Sequence, residues 1–365
     1  MFWFSVGTAG ELIKIYPLLR LATERGLPWY ALATGQSPVN FRKQWENFNL
    51  PADRLGFLLE TDRDLHTSRD AFKWFARAQL RSAGKLRDEI ERLAGVAPNP
   101  ARDYWLVHGD TLSTWVGAGY ARRLGLRLVH VEAGLRSDRL FHPFPEEITR
   151  RFVSRLARLH FAQDARAVAN LHASGVKGEV INTGGNTLLD AIRYVLRDFP
   201  VPTLPPTPFV VANVHRFENL NSAHRWSVIV DVLIRAALRQ PVYLVQHPPT
   251  QAKLDRDPAL KARLEAAGVR LLPRQPFTQF IHFINGAEYV ISDGGSNQEE
   301  CFYLGKPCLL LRESTERVEG LEGACLLTKF EAAQIDRFLE DPASFRAAAV
   351  GFETQPCATI LETLV

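Results

Sequence analysis

The chain of 365 residues is 46% hydrophobic and 23% charged, which provides for two globular domains and excludes a disordered protein. Its net charge of +4 is small for this length and its arginines are scattered, so the composition argues against nucleic-acid binding. No run approaches the roughly twenty apolar residues that cross a bilayer, and the amino terminus lacks a signal-peptide pattern, so we expect a cytoplasmic protein without a membrane span.

The first half of the chain alternates short apolar runs with amphipathic stretches, a pattern typical of strand and helix units in an open parallel sheet. A strand at 2–6 precedes a helix that Pro17 should bend and Gly26 should stop. A long helix is expected from its cap at Ser68 to its stop at Gly95. Further strands are predicted at 104–107, 126–129, 159–162 and 179–182.

Five prolines between residues 198 and 208 mark a loop near a domain junction. A second series of strands and helices follows this loop. Its strands are predicted at 209–212, 242–245, 269–272, 289–291 and 308–311, and its helices near 222–239, 252–267, 277–284 and 296–304. The sequence therefore predicts an α/β fold of two Rossmann-like domains, each a parallel sheet with flanking helices.

Three segments that carry a carboxylate, HGDT, HVEAGLRS and FPEEITRR, lie beside predicted strand ends. Parallel sheets bind ligands at the carboxyl edge of their strands. We therefore expect Asp110, Glu132 and Glu146 to converge on one cleft, where they can serve as general acids or bases.

The segment SDGGSNQEE follows a predicted strand and leads into a helix. Its turn, Gly294, Gly295 and Ser296, lets the backbone approach a ligand, and the amides of the helix's first turn would face an anion such as a diphosphate. A purely structural turn is the alternative, because glycine turns before helices are common. Glu299 and Glu300 can accept hydrogen bonds from ribose hydroxyls.

Polar and aromatic residues follow other strands of this half. His215 and Arg216, in NVHRFEN, can contact phosphate or sugar or have a structural role. Arg317, in ESTERVEG, can bind sugar or phosphate or lie in an exposed charged loop. Phe277 and Phe280, in QPFTQF, are spaced either for core packing or for stacking a base, and packing is favoured for Phe277.

The four cysteines, Cys301, Cys308, Cys325 and Cys357, have neither CxxC spacing nor a nearby histidine pair. They indicate buried reduced thiols rather than disulfides or zinc ligands, and no metal site is expected.

The carboxylate segments, NVHRFEN and SDGGSNQEE, taken together with GTAGELIK, TGGNTLLDA and STER, form a set of motifs. In order and spacing, this set resembles the UDP-N-acetylglucosamine 2-epimerase family over nearly the whole chain. The resemblance implies the GT-B fold, in which a cleft between two Rossmann-like domains closes on a nucleotide sugar. It places the first domain at 1–183 plus 347–365, with a last helix that crosses back, and the nucleotide-binding domain at 184–346. It also implies a homodimer that uses no cofactor.

The family's reaction implies epimerisation at carbon 2 of UDP-N-acetylglucosamine. UDP leaves by elimination to give 2-acetamidoglucal, and its readdition on the other face yields UDP-N-acetylmannosamine. Carboxylates would stabilise positive charge on the sugar, and cations and helix amides would stabilise the departing diphosphate. Carried over by motif, the catalytic candidates are Asp110, Glu132, Glu146 and His215. The substrate and nucleotide candidates are Lys14, Arg150, Arg216, Phe280, Gly294, Gly295, Ser296, Glu300 and Arg317.

The chain departs from the family's pattern in two places that bear on specificity and control. Ala9 replaces a phosphate-reaching arginine and Gly10 a proline, so either Arg216 or Arg317 compensates or the preferred nucleotide sugar differs. Ser37 stands where bacterial members have an allosteric histidine, which argues against control by a second substrate molecule.

The sequence leaves three other functions open. The hydrolysing branch of the family would release N-acetylmannosamine and UDP. A GT-B glycosyltransferase would share the UDP-sugar site but require an acceptor. A nucleotide-sugar sensor would bind without turnover.

Overall fold

The computed structural model describes residues 1–59, 61, 64–65, 67–137, 145–321 and 323–365. The chain forms two compact units, one of Met1–Ala191 with Glu353–Val365 and one of Ile192–Phe352; the sequence analysis divides it after 183 and before 347. Each unit holds one parallel sheet with helices around it. The predicted fold class, two Rossmann-like α/β domains, is confirmed.

The first unit is built on a seven-stranded parallel sheet. Its strands are β1 (Phe2–Val6), β2 (Trp29–Ala33), β3 (Leu55–Phe57), β4 (Tyr104–His108), β5 (Arg127–Val131), β6 (Leu159–Ala162) and β7 (Glu179–Asn182). Its helices are α1 (Ala9–Glu24), α2 (Pro38–Asn47), α3 (Ser68–Gln79), α4 (Ala83–Ala94), α5 (Leu112–Leu124), α6 (Glu146–Leu156) and α7 (Ala165–Ala173). Helix α8 (Leu188–Asp198) begins in this unit and ends in the second. Helix α16 (Pro356–Leu364), which follows the second unit in the sequence, also belongs to the first. The strand order β3-β2-β1-β4-β5-β6-β7 puts the topological switch point between β1 and β4.

The second unit is built on a six-stranded parallel sheet. Its strands are β8 (Val210–Asn213), β9 (Val242–Val245), β10 (Val269–Leu272), β11 (Tyr289–Ser292), β12 (Cys308–Leu310) and β13 (Cys325–Leu327). Its helices are α9 (Phe217–Leu220), α10 (Ala223–Ala237), α11 (Pro248–Asp255), α12 (Pro258–Ala266), α13 (Phe277–Gly286), α14 (Gly295–Leu304) and α15 (Ala332–Glu340). The order β10-β9-β8-β11-β12-β13 puts this unit's switch point between β8 and β11.

The long helix predicted from Ser68 to Gly95 is wrong, because the structure has two helices there. Thr67 rather than Ser68 caps α3, and the hydroxyl of Ser82 accepts a hydrogen bond from the amide three residues on and starts α4. A serine that caps a new helix interrupts the backbone while the apolar stripe continues, so periodicity alone does not show the break. Gly95 ends α4 in the left-handed region, with a φ of 71°.

Three short strands, β2, β3 and β13, are absent from the sequence prediction. β2 reads WYALA, and its two alanines belong to a residue type that is depleted in strands, so its strand propensity is weak. The single helix predicted near 252–267 is also two helices, α11 and α12, each with a proline in its first turn. Proline suits a first turn because its missing N–H would have no intrahelical acceptor.

Each unit packs its own apolar core against its sheet. In the first, Trp3 and Trp105 on neighbouring strands are fully buried, and Trp3 Nε1 donates a hydrogen bond to Asp103 at 3.0 Å. In the second, Val210 and Phe338 belong to the corresponding cluster. All four cysteines are free and buried, as predicted. Within the described residues, no helix combines the length and apolar character that a membrane crossing needs.

Candidate active site

The polar side chains of the first unit gather at its switch point. Thr8 caps α1 and Thr111 caps α5, each with a hydroxyl that accepts a hydrogen bond from the amide three residues further on. Both helices therefore begin at the carboxyl edge of the sheet, where their first-turn amides lack intrahelical partners. Asp110, in the loop between β4 and α5, lies at the same edge.

Asp110 forms an ion pair with Arg150 of α6, at 2.5 Å between Oδ2 and Nη2. The arginine side chain is 6% exposed and the aspartate 25% exposed. Burial alone would lower the pKa of Arg150, but the carboxylates of Asp110, Glu132 and Glu147 outweigh it and raise the pKa. This guanidinium therefore lies within electrostatic range of two of the three predicted catalytic carboxylates.

Glu132 follows β5 and is held by three groups from different parts of the unit. Its Oε1 forms an ion pair with Lys14 of α1 and accepts a hydrogen bond from Asn186 Nδ2 at 2.7 Å. Its Oε2 lies 3.6 Å from His108 Nδ1. The backbone of Glu132 is in the left-handed region with a φ of 59°, a conformation that costs energy outside glycine and is concentrated at functional sites.

Glu146 is the first residue of α6 and stands four positions before Arg150, so the two share one face of the helix. Its Oε2 is buried and has no hydrogen-bond partner among the described residues. Residues 138–144, which precede Glu146, lie outside the described part of the chain. Arg150 thus pairs with Asp110 and lies within electrostatic range of Glu132, and Glu146 lies on the helix that carries this arginine.

At the switch point of the second unit, Asp293 ties together the loops after β8 and β11. Its carboxylate is fully buried and accepts hydrogen bonds from the amides of His215 at 3.0 Å and Arg216 at 2.9 Å. It also accepts one from Asn219 Nδ2 at 3.0 Å. The predicted site residues His215 and Arg216 are therefore fixed by their main chain.

The imidazole of His215 is positioned on two sides. Its Nδ1 lies 2.9 Å from Asn213 Oδ1, and its ring stacks on His247 with 4.4 Å between centroids. Burial lowers the pKa of His215, and the nearby carboxylate of Asp293 acts in the opposite direction. Burial, with the charges of His215 and Arg274, lowers the pKa of His247 to about 3. Both rings are therefore neutral at pH 7.

Gly294 caps α14, and Gly295 and the exposed Ser296 form its first turn. A Cβ added at Gly295 would lie 3.0 Å from Arg317 Nε, so the guanidinium packs against the bare backbone of this turn. Arg317 also forms an ion pair with the buried Glu299. The arrangement puts a cation beside helix amides, which is the composition of a phosphate site.

Besides the ion pair of Arg317 with Glu299, the side chain of Gln298 binds the Arg317 loop to α14. Gln298 Nε2 donates hydrogen bonds to the carbonyls of Arg317 at 3.1 Å and Glu319 at 2.8 Å, and its Oε1 accepts one from Thr315 at 2.9 Å. Glu300, the ribose candidate, accepts a hydrogen bond from Asn297 at 2.7 Å and is 4% exposed. The predicted nucleotide residues of STER and SDGGSNQEE therefore belong to one hydrogen-bonded assembly.

The side chains of two other predicted nucleotide residues of the second unit, Phe280 and Arg216, have partners outside these two motifs. Phe280 is 7% exposed and belongs to the hydrophobic cluster that contains Phe209, Val245 and Phe283, so the structure shows it in core packing. Arg216 directs its guanidinium to Glu218 at 2.8 Å and remains partly exposed beside His215.

The family model described as UDP-N-acetylglucosamine 2-epimerase matches residues 77–354. A UDP-N-acetylglucosamine 2-epimerase of Bacillus subtilis is 32% identical over 328 residues, which are 88% of this chain and 80% of the relative. The chain belongs to the UDP-N-acetylglucosamine 2-epimerase family.

Two further relatives show how the epimerase family varies. A solved structure, UDP-GlcNAc 2-epimerase from Neisseria meningitidis bound to UDP-GlcNAc, covers 100% of this chain and 99% of its own at 25% identity and a TM-score of 0.77. A UDP-2,3-diacetamido-2,3-dideoxy-D-glucuronate 2-epimerase of Pseudomonas aeruginosa is 32% identical over 219 residues, 59% of this chain and 60% of the relative.

Three residues of this epimerase lie at the two switch points but have no role in the sequence prediction. Asn186 lies in the motif TGGNTLLDA, and its contact with Glu132 spans 54 positions. Asp293 lies in SDGGSNQEE beside the predicted turn, and His247 follows β9 at the same edge as His215. A polar residue within two positions of the end of a buried strand is the signal that indicates the last two.

Proposed function

We propose that this chain converts UDP-N-acetylglucosamine to UDP-N-acetylmannosamine by elimination and readdition of UDP. The observation that carries the proposal is the pairing of Asp110 and Glu132 with buried cations at the switch point of a chain in this family. Carboxylates at the carboxyl edge of a parallel sheet, each oriented by a fixed partner, are equipped for proton transfer to a bound ligand.

In the elimination, the proton on carbon 2 goes to a base and the bond between carbon 1 and the diphosphate oxygen breaks, leaving 2-acetamidoglucal and UDP. Readdition reverses both changes with the proton delivered to the other face. Asp110, Glu132 and Glu146 are the acid and base groups in this proposal. Positive charge that develops on the sugar is stabilised by these carboxylates.

The second unit supplies the nucleotide site in this proposal. The first turn of α14, Arg317 and Arg216 stabilise the charge that the diphosphate gains as it leaves. Because Asn213 Oδ1 can accept only from a protonated Nδ1, Nε2 of His215 is the nitrogen left to exchange a proton with the leaving group.

The sugar specificity is part of the proposal, because Ala9 and Gly10 replace residues that the family's pattern has at the start of α1. The Pseudomonas aeruginosa relative is named for a different UDP-sugar. We propose UDP-N-acetylglucosamine as the substrate, since the Bacillus subtilis relative, which covers more of this chain, is named for it. A homodimer without a cofactor completes the proposal.

The test is incubation of the protein with UDP-N-acetylglucosamine alone in deuterated water. We expect UDP-N-acetylmannosamine together with deuterium at carbon 2 of both sugars. Free N-acetylmannosamine and UDP would assign the hydrolysing branch instead. Neither epimer nor deuterium would refute the epimerase, and a product that forms only after an acceptor is added would support the glycosyltransferase.

A further inference from the structure

We propose that Glu11 is a positioning residue that holds the Asp110 loop in its reactive geometry. The inference concerns the first unit and rests on the proposed function, in which Asp110 transfers a proton. Glu11 does not face the ligand edge itself: its side chain is 3% exposed, and both carboxylate oxygens are occupied by groups of the chain.

The Oε2 oxygen of Glu11 binds the loop between β1 and α1. It accepts hydrogen bonds from the amides of Gly7 and Thr8, both at 2.9 Å, and from the Thr8 hydroxyl at 3.1 Å. The bond from the Thr8 amide completes a capping box, because the Thr8 hydroxyl accepts in turn from the Glu11 amide. This half of the carboxylate has an ordinary role in starting a helix.

The Oε1 oxygen reaches out of that loop to the next strand of the sheet. It accepts a hydrogen bond from the Thr111 hydroxyl at 2.8 Å and lies 3.1 Å from the Thr114 hydroxyl. Thr111 is the residue directly after Asp110 and caps α5. A helix cap alone needs no partner a hundred residues away, so this second contact requires a separate explanation.

The bridge crosses the switch point between β1 and β4, which is where a doubly wound sheet opens and its two loops diverge. A carboxylate bonded on both sides keeps the two loops at a fixed separation. Lys14 stands one turn further along α1 and pairs with Glu132. Helix α1 therefore holds Asp110 through Glu11 and Thr111, and Glu132 through Lys14.

The energetic cost of burying the Glu11 carboxylate favours a role for this side chain beyond packing. Burial raises the pKa of Glu11, and hydrogen bonds from Gly7, Thr111 and Thr8 act against it. Keeping a carboxylate in this environment is costly unless its hydrogen bonds are made. A displacement of about 1 Å in a reacting group costs roughly a hundredfold in rate, so a rigid bridge beside Asp110 has a direct kinetic value.

The experiment compares Glu11→Gln with Glu24→Gln, a change on the exposed side of the same helix, in the deuterium assay. The amide of Gln cannot accept on both sides. We expect kcat for Glu11→Gln to fall by about ten- to a hundredfold, with KM and the Kd for UDP within about threefold of the wild type. Glu24→Gln should match the wild type.

Substitutions of Thr111 break the same bridge from its other end. Thr111→Val also removes the cap of α5, and denaturant titration measures that loss of stability separately from kcat. Thr111→Val removes the hydroxyl and should lower kcat as Glu11→Gln does, whereas Thr111→Ser keeps the hydroxyl and should restore it. The double variant of Glu11→Gln with Thr111→Val should be no slower than the slower single variant, because both remove one interaction. Additive losses, or an unchanged kcat in Glu11→Gln, would overturn the inference.

A structural readout keeps the inference testable if the wild type proves inactive, which would refute the proposed function alone. Crystal structures of the wild type and of Glu11→Gln should then differ in the position of the Asp110 carboxylate relative to Arg150. Asp110 at an unchanged distance from Arg150 in both would overturn the inference independently of the reaction.

Discussion

The two switch points of this chain have the same framework and different chemistry. In each, a buried carboxylate bonds the loops of two adjacent strands: Glu11 spans β1 and β4, and Asp293 spans β8 and β11. Around Glu11 the neighbouring functional groups are carboxylates paired with cations. Around Asp293 they are an imidazole, arginines and the amides of a helix start.

In the proposed function, this difference adapts one fold to two tasks. Proton transfer requires groups that can gain and lose charge in a fixed place, and we propose Asp110 and Glu132 of the first switch point for it. Anion binding requires donors that are always present, and we propose the backbone amides and Arg317 of the second for it. We therefore expect substitutions at the first site to alter rate and stability, and substitutions at the second to alter nucleotide affinity.

Removal of a cation from the first switch point should have the largest effect. Lys14 and Glu132 are each 8% exposed, so Lys14→Met leaves a buried carboxylate without its counter-charge. We expect the free energy of unfolding to fall by about 3–5 kcal/mol, measured by denaturant titration. Arg20→Met removes an exposed ion pair on the same helix and should change stability by at most about 0.5 kcal/mol. Equal effects of the two would show that burial does not set the strength of the pair.

Neutralising a reacting carboxylate should come next. Asp110→Asn keeps the shape of the side chain but cannot transfer a proton. We expect kcat to fall about a hundredfold or more while the Kd for UDP stays within about twofold, measured by product formation and calorimetry. A parallel loss of UDP binding would instead give Asp110 a structural role.

The matching change in the second unit should act on affinity. Asp293→Asn leaves the amides of His215 and Arg216 facing an amide group that satisfies fewer donors. We expect UDP to bind about tenfold more weakly, in line with a loss of about 1.4 kcal/mol, as read by calorimetry. Asp231→Asn, on the exposed face of α10, is the control. Unchanged affinity in Asp293→Asn would remove the parallel with Glu11.

Buried histidines should make both units sensitive to acid. Burial lowers the pKa of His130 to about 3, so between pH 6.5 and that value the unfolded chain binds a proton that the folded chain does not. Stability therefore falls as pH falls below 6.5, by about 1.4 kcal/mol per pH unit for each such group. His130→Gln should reduce the slope of unfolding free energy between pH 6 and 5 by about that amount, and His247→Gln should do the same in the second unit. The unfolding free energy of the wild type over the same pH range is the reference for both variants.

The smallest effect is expected at Phe280. Because it packs in the core of the second unit, Phe280→Leu should lower the unfolding free energy by about 1 kcal/mol and leave the affinity for UDP unchanged. Weaker UDP binding at equal stability would support the stacking role that the sequence suggests and move Phe280 into the nucleotide site.

The sequence predicted the fold where local patterns carried the information. Strands such as β1 and β9 have the predicted bounds, since short apolar runs between turn residues are read directly. The strand β2 and the break at Ser82 were missed, because the alanines of β2 are depleted in strands and a single cap leaves the helical stripe intact.

The candidate site was predictable as a set of strand ends but not as a set of pairs. Asp110 and Glu132 were found because each follows a buried strand. The partners of these carboxylates could not be predicted, because Lys14 lies 118 positions from Glu132 in the sequence. Only the folded chain determines which cation pairs with which carboxylate. Glu11 was part of the motif GTAGELIK, yet its bond to Thr111 depends on the order of strands in the sheet.

The discontinuous first unit also has a consequence for the order in which the chain folds. Helix α16, whose Ile360 and Leu361 are fully buried, packs against α1, and the amide of Cys357 in α16 donates a hydrogen bond to the carboxylate of Asp190. During synthesis these residues leave the ribosome only after the entire second unit has emerged. Helix α1 therefore remains without the cover of α16 until the second unit has been synthesised, and a nascent chain can complete the second unit before the first.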